Sequence, residues 1–361
     1  MSDSVRRHYE EYPYPRYPLL ASVRRCDTFA LSLEALWSRF NGTLTPSSHN
    51  RILIAGCGSF APYPFSLANP DANITALDLS KRSLDRARWH CLLHGRRNIS
   101  FRSGDLLNSG VAPGPFALID AYGVLHHLDD PQVGLRALAE RLDQGGIMRV
   151  MVYSRYARRE EESIRRALRL LKVRDVATAK RLFARTRPGS RLHHFVTTSP
   201  EAGFAAGLAD ALLHPCVHTF RIDNLMELVD ESGLQPLLFA HADAFENVHD
   251  EVDRIRRMEA RQESPGNFVV FLGRGVSGPC QEMIGSLLVI NPCLRDSIGP
   301  FRLSRPRIPA RLGHPTPHLG WRERHFLRRF IRPVPWNTLT HESQIAADIY
   351  TKALFLLQYR P

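Results

Sequence analysis

Between residues 50 and 153 the chain alternates short apolar runs with stretches of helical periodicity, and most of the runs end at glycine or aspartate. Arg51-Ile52-Leu53-Ile54-Ala55 leads into Gly56-Cys57-Gly58, the pattern of a buried parallel strand followed by a tight turn. Ile74–Leu77 stops at Asp78, Ile99–Arg102 leads to Gly104-Asp105, and Phe116–Ala121 runs into Gly123–Leu128. Ile147–Tyr153 follows the Gly145-Gly146 turn. Between them lie helical stretches at Ala61–Asn69 (interrupted by Pro62 and Pro64), at Ser80–His94 and at Pro131–Leu142. Ser80 is the N-cap of the second, and Gly95 closes it. Strand and helix in alternation predict an α/β fold with a doubly wound, mostly parallel sheet.

After Tyr153 the rhythm changes. Arg158–Arg185 reads as one charged helix and Asp223–Ser232 as another. Leu234–Ala240 and Asn267–Gly273 read as strands separated by the helical stretch His249–Gln262. This late pair brings the sheet to seven strands with the last antiparallel. Beyond Gly275 recurrent prolines predict an irregular segment closed by a helix at Glu342–Gln358. The apolar run Met283–Ile290 is too short to span a membrane. At the other end, residues 9–18 read YEEYPYPRYP, and prolines that dense predict an extended strap near polyproline II.

Composition changes this picture in one respect. Hydrophobic content of 43% and charged content of 23% are ordinary globular values, but the net charge of +12 is unevenly placed. Residues 155–191 hold 13 Lys/Arg against 4 Asp/Glu, and residues 274–361 hold 13 against 5, so the remainder is mildly acidic. Almost all of these cations are arginine, whose planar fork suits phosphates and carboxylates. The start MSDSVRRHYEEYP has no apolar export segment, and six cysteines without a C-x-x-C pair read as reduced thiols of a cytoplasmic protein. Sixteen histidines contain no H-E-x-x-H, so no metal site is expected.

In a doubly wound sheet, ligands bind at the carboxyl ends of the strands. Gly56 and Gly58 would let backbone approach a ligand, Asp78 could accept from two ribose hydroxyls, and Asp105 could accept from an adenine amino group. Residues Tyr122 to His127 would face the reacting end. His126 and His127 are the candidate general bases, one of the pair reaching substrate and the other packing. The chain has no Tyr-x-x-x-Lys, which removes short-chain dehydrogenase chemistry.

ILIAGCGSF, ALDLS, SGDLL and IDAYGVLHHLDDP, in this order and spacing, resemble the motifs of class I S-adenosylmethionine-dependent methyltransferases. The resemblance covers about residues 9 to 274. YEEYPYPR, GCGSFAPYPFSLANP and DALLHP further resemble a group of bacterial methyltransferase-like proteins. It implies a Rossmann-like domain at 50–274 with a helical insert at about 154–222, an N-terminal strap and helix at 1–49, and an extension at 275–361. It assigns Gly56, Cys57, Gly58, Asp78, Leu79, Asp105, Leu106 and Tyr122 to S-adenosyl-L-methionine, and Tyr9, Tyr12 and Tyr14 to a lid over cofactor or substrate. The acceptor implied is the O, N or C of a small molecule. Two departures stand out: Ala55 holds the place just before the first glycine where an acidic residue is usual, and Phe60 replaces the third glycine. They motivate one alternative, a non-catalytic scaffold on a decayed domain. The other is an RNA or protein methyltransferase using the arginine segments. Against it, Asp120-Ala121-Tyr122-Gly123 stands where adenine-amino enzymes carry Asp/Asn-Pro-Pro-aromatic. No membrane partner is implied, and the oligomeric state is left open, a homodimer among the options.

Overall fold

The computed structural model describes residues 3–280, 285–299 and 306–361. Met283 and Ile284 of the late apolar run, and Pro300 of the proline-rich segment, lie outside them. Five strands supply the parallel part of the main sheet: β1 (Arg51–Ala55), β2 (Asn73–Asp78), β3 (Ile99–Ser103), β4 (Phe116–Tyr122) and β5 (Leu142–Val152). β6 (Gln235–Phe239) and β7 (Phe268–Gly273) complete it in the order β3-β2-β1-β4-β5-β7-β6. β7 runs antiparallel to both β5 and β6, as the late strand pair predicts.

Side-chain parity divides the sheet's two faces. Leu53, Ala55, Ile119, Ala121, Met148 and Val150 point to one core, where helices α5 (Pro131–Ala139), α10 (Ile222–Glu231) and α11 (Val248–Ala260) cover them. Ile52, Ile54, Ile74 and Ala76 point to the other, under α2 (Leu33–Asn41) and α3 (Pro62–Ala68). Pro62 and Pro64 do not break α3, because both sit in its first turn, where the N–H groups have no helical partner. α4 (Lys81–Leu93) follows β2, with the Ser80 side chain accepting from Ser83 N–H.

Four expectations are corrected. α1 (Asp3–Glu11) is helical through Tyr9, so the strap becomes extended only after it; the first proline is Pro13, and nothing before Tyr12 is barred from the helix. The charged stretch after Tyr153 is not one helix but α6 (Arg159–Leu170) and α7 (Val176–Phe183). The break falls at Lys172, at φ 56°, and Asp175 caps the second piece. α5 ends at Ala139 rather than Leu142, which already belongs to β5. The last helix, His341–Lys352, stops before its expected end; Leu354 turns left-handed at φ 56°, and β10 (Leu356–Tyr359) follows. β10 pairs antiparallel with β8 (Leu287–Ile290), which also pairs with the two-residue β9 (Val334–Pro335).

The small C-terminal sheet shares its core with α2 and the face of the main sheet that carries Ile52 and Ile54. Phe29 meets Phe355 edge-on at 5.3 Å, Phe40 packs on Phe271 at 5.9 Å, and Ser38 Oγ donates to the Gln358 carbonyl at 2.8 Å. Buried aromatic area of this kind binds the C-terminal segment to the sheet domain. Between α6 and α10, α8 (Arg191–Thr198) and the short α9 (Ala205–Leu208) join α6 and α7 around a third apolar cluster.

Candidate functional site

A cavity of about 410 Å³ opens at the carboxyl ends of β1, β2, β4 and β5. Its floor follows from parity: β1 turns Ile54 toward it, and β5 turns Arg149, Met151 and Tyr153 toward it. Ala55 lies on the opposite core, so that departure from the family pattern falls away from the cavity wall.

The first turn is held open by two left-handed glycines, Gly56 at φ 66° and Gly58 at φ 55°. A Cβ on Gly56 would lie 2.5 Å from Val124, and one on Gly58 would lie 2.5 Å from the Tyr14 carbonyl oxygen. The turn is tied to β2: Cys57 N–H donates to the Leu77 carbonyl at 2.9 Å and Gly58 N–H to Asp78 Oδ2 at 2.7 Å. Asp78 Oδ1 accepts from Ser80 N–H at 2.8 Å. Burial pushes the Asp78 carboxyl up to about 6, with the two N–H donors pulling the other way. One donor on each oxygen does not exhaust the lone pairs of a carboxylate, and Asp78 lines the cavity, so it has capacity for a vicinal diol. Leu77, Leu79, Gly104 and Leu106 continue the wall. Asp105 does not line it; its Oδ1 accepts from Leu107 N–H at 2.9 Å and fixes the loop after β3.

The strap lies across this turn. Ser59 N–H donates to the Tyr14 carbonyl at 3.3 Å and Ser59 Oγ to the Pro15 carbonyl, while Arg86 donates to the Tyr17 carbonyl. Glu10 Oε1 accepts from Lys81 N–H at 2.7 Å, so α1 supplies a carboxylate to the N-terminus of α4. Tyr9, Tyr14, Pro15 and Tyr17 all line the cavity. Tyr12 does not: it packs against the apolar cluster of the helical insert. Phe60 holds the strap, its ring 4.4 Å from Tyr17 and 5.1 Å from His90. Replacing Glu10 by alanine removes an acceptor from two α4 N–H groups, and should lower stability by about 1 kcal/mol. Thermal melting beside the unmodified chain checks this.

The histidine pair divides. His127 lines the cavity, and its Nδ1 donates to the Cys216 carbonyl at 2.9 Å, leaving Nε2 as the lone-pair nitrogen. Burial lowers its pKa to about 4, so it is neutral at pH 7. His126 is fully buried, stacks on Tyr153 at 3.7 Å and does not reach the cavity. It packs.

Tertiary contacts bring in Arg149, Tyr153, Arg158 and Glu201, which the motifs do not mark, and Asp210, which opens the DALLHP motif but was given no role there. Arg149 Nε donates to Asp120 Oδ1 at 2.6 Å, and the guanidinium sits 4.7 Å over the Tyr122 ring. Its signal was available as a lone cation within the apolar run Ile147–Tyr153. Asp210 accepts from Tyr9 OH at 3.0 Å and from Tyr153 OH at 3.4 Å; it is a lone acid within the apolar run 205–213. Arg158 lies 4.1 Å over Tyr153 and pairs with Glu201 at 3.1 Å. Tyr9 thus joins two regions, its carbonyl accepting from Ser80 Oγ at 3.3 Å and its hydroxyl on Asp210. Among the described residues, no group of three His, Cys, Asp or Glu is placed to hold a metal ion, and no helix is long and apolar enough to cross a membrane.

Residues 53–148 match the model of a methyltransferase domain family. An uncharacterized protein of Synechococcus sp. is 30% identical over 261 residues, 68% of this chain and 62% of its own. A ubiquinone biosynthesis O-methyltransferase of Paracidovorax citrulli is 29% identical over 104 residues, 28% of this chain and 43% of its own. In both cases the match spans less than two thirds of the relative's length. Among solved structures, PKMT2 from Rickettsia typhi superposes with a TM-score of 0.58 at 13% identity, over 95% of this chain and 77% of its own. At that identity the likeness is one of fold.

Proposed function

We propose that this chain, a class I S-adenosylmethionine-dependent methyltransferase by its domain and its fold, transfers a methyl group to the O, N or C of a small-molecule acceptor bound under the strap. The observation that carries the reading is Asp78. One carboxylate closes the glycine turn through Gly58 N–H and faces a nucleoside-sized cavity at the end of the second strand. In this reading Asp78 takes the ribose hydroxyls, the Gly56–Gly58 backbone lets the cofactor approach, and Leu79, Leu106 and Tyr122 pack around it. S-adenosylmethionine bound there would supply a methyl on a sulfonium, open to in-line attack by an aligned acceptor. The chain's own contribution is alignment and exclusion of water, which can supply most of the rate for such a displacement. Tyr14, Pro15 and Tyr17 cover the site, and Ser59 and Arg86 pin them down. A cavity roofed in this way supports a small acceptor over a polymer.

Titration calorimetry with S-adenosylmethionine, S-adenosylhomocysteine and NAD tests the reading. Micromolar binding of the first two and none of the third is expected; the reverse selectivity, or no binding, overturns it. The affinity should depend on pH. A carboxyl raised to about 6 is largely ionised at pH 7.5 and mostly protonated at pH 5, where it loses acceptor capacity. S-adenosylhomocysteine should therefore bind about tenfold more weakly at pH 5 than at pH 7.5. A flat profile would mean that Asp78 does not carry the hydroxyls.

A further inference from the structure

Asp210 occupies an unusual piece of backbone. α9 runs directly into a π-helical turn, Ala209–Leu213, and such turns re-aim side chains and concentrate at functional sites. Leu208, Ala209, Ala211 and Leu212 around it are buried in the apolar core of the insert. Asp210 is turned instead to the cavity wall, only 5% exposed. Its hydrogen-bond partners among the described residues are two neutral phenols, Tyr9 and Tyr153. Two donors do not exhaust the lone pairs of a carboxylate. Among the described residues no cation hydrogen-bonds to Asp210: Arg158 pairs with Glu201 at 3.1 Å and Glu161 at 3.0 Å, and Arg165 donates to the His214 carbonyl at 3.0 Å. The corner therefore carries a buried acid whose hydrogen bonds, among the described residues, come from phenols alone, set among the rings of Tyr9, Tyr14 and Tyr153, all of which line the same cavity.

An anion would be repelled here, including a phenol on its way to phenolate. A protonated amine meets both requirements of its charge, a carboxylate to accept its hydrogens and aromatic faces for the cation. We propose that this corner binds the acceptor as an ammonium ion and that Asp210 takes its proton, which makes the methyl acceptor an amine. The inference rests on the methyltransferase reading above. One N–H bond breaks as the proton passes to Asp210, and the freed lone pair forms the new C–N bond. The donor's C–S bond breaks with its electron pair left on sulfur. The methylated amine leaves as an ammonium ion, S-adenosylhomocysteine is the second product, and Asp210 returns one proton to solvent. Burial raises the Asp210 carboxyl, which makes it the better proton acceptor, whereas His127 is held neutral and weakly basic.

The test needs no knowledge of the acceptor. Sinefungin is a cofactor analogue with a primary ammonium where the transferable methyl stands; S-adenosylhomocysteine lacks both. The unmodified chain should bind sinefungin at least tenfold more tightly than S-adenosylhomocysteine. Asp210→Asn should reduce that ratio to within twofold while leaving S-adenosylhomocysteine affinity in place, which also reports that the variant is folded. In the unmodified chain the ratio should fall as pH drops and Asp210 is protonated, whereas Asp78 affects both ligands alike and cancels. The other groups facing Asp210 are His8 and Tyr9 from α1, Tyr14 from the strap, Tyr153 from β5, and Arg158 and Arg165 on the insert side. A ratio near one in the unmodified chain, or one unchanged by Asp210→Asn or by pH, overturns the amine site. Failure of S-adenosylhomocysteine itself to bind the unmodified chain removes the methyltransferase reading, and this inference with it.

Discussion

Asp78→Ala should weaken S-adenosylhomocysteine binding by at least 100-fold. Hydrogen bonds to a charged acceptor contribute about 1.5–3 kcal/mol each, and the ribose in this reading makes two with one carboxylate. The turn itself should survive the change, because Cys57 N–H still donates to the Leu77 carbonyl and both glycines keep their left-handed backbone. Gly58 and Ser80 lose an acceptor each, so a modest drop in melting temperature accompanies the loss. Asp78→Asn should fall between, since an amide keeps one acceptor oxygen and presents donors where the carboxylate presents another. Calorimetric titration of both variants against the unmodified chain decides the matter. An alanine variant within threefold of the unmodified affinity would mean that no diol sits on Asp78, and the cofactor assignment would lose its anchor.

The second large effect is expected at Gly58, where turn and strap meet. A Cβ there would sit 2.5 Å from the Tyr14 carbonyl oxygen and 3.4 Å from Pro15 Cδ, at a φ of 55° that side chains resist. The strap cannot absorb this locally, since Ser59 holds the carbonyls of Tyr14 and Pro15 on one side and Arg86 holds Tyr17 on the other. Gly58→Ala should therefore lift the strap from the cavity. Two readings are expected together: at least tenfold weaker S-adenosylhomocysteine binding, and about tenfold faster tryptic cleavage after the exposed Arg16. Gly95→Ala is the control, because Gly95 has the same handedness at φ 68° but nothing within 4 Å of its added Cβ. It carries the backbone strain of about 1 kcal/mol without the collision. Equal behaviour of the two variants would show that the strap does not bear on the turn.

These two expectations come from different levels of information. Asp78 was visible in the sequence because the signal is local: an apolar run, a stop at an acid, and a fixed spacing after the glycine turn. The same local logic made the order of β1 to β7 legible, since buried parallel strands must be apolar and must end where backbone turns. Ser80 and Gly95 likewise marked the limits of α4 by capping chemistry alone. The strap was legible in part. Prolines fixed its extended course from Pro13 onward, but they could not show that α1 would bring Tyr9 into the cavity while Tyr12 turned to the insert.

Long-range contacts decided the remainder. Nothing near His126 and His127 says which one faces the cavity; the pairing of β4 with β5 and the stacking on Tyr153 settle it. The C-terminal segment looked irregular because β8 and β10 are four residues each and are defined by pairing across more than sixty residues of chain. Asp210, Tyr9 and Tyr153 meet across separations of 201 and 57 residues. The strands and the glycine turn at the cavity could be read from the residues alone, because periodicity and turn chemistry act between neighbours. The Asp210 corner had to wait for the fold, because its acid, its phenols and its arginine come from separate segments that folding brings together.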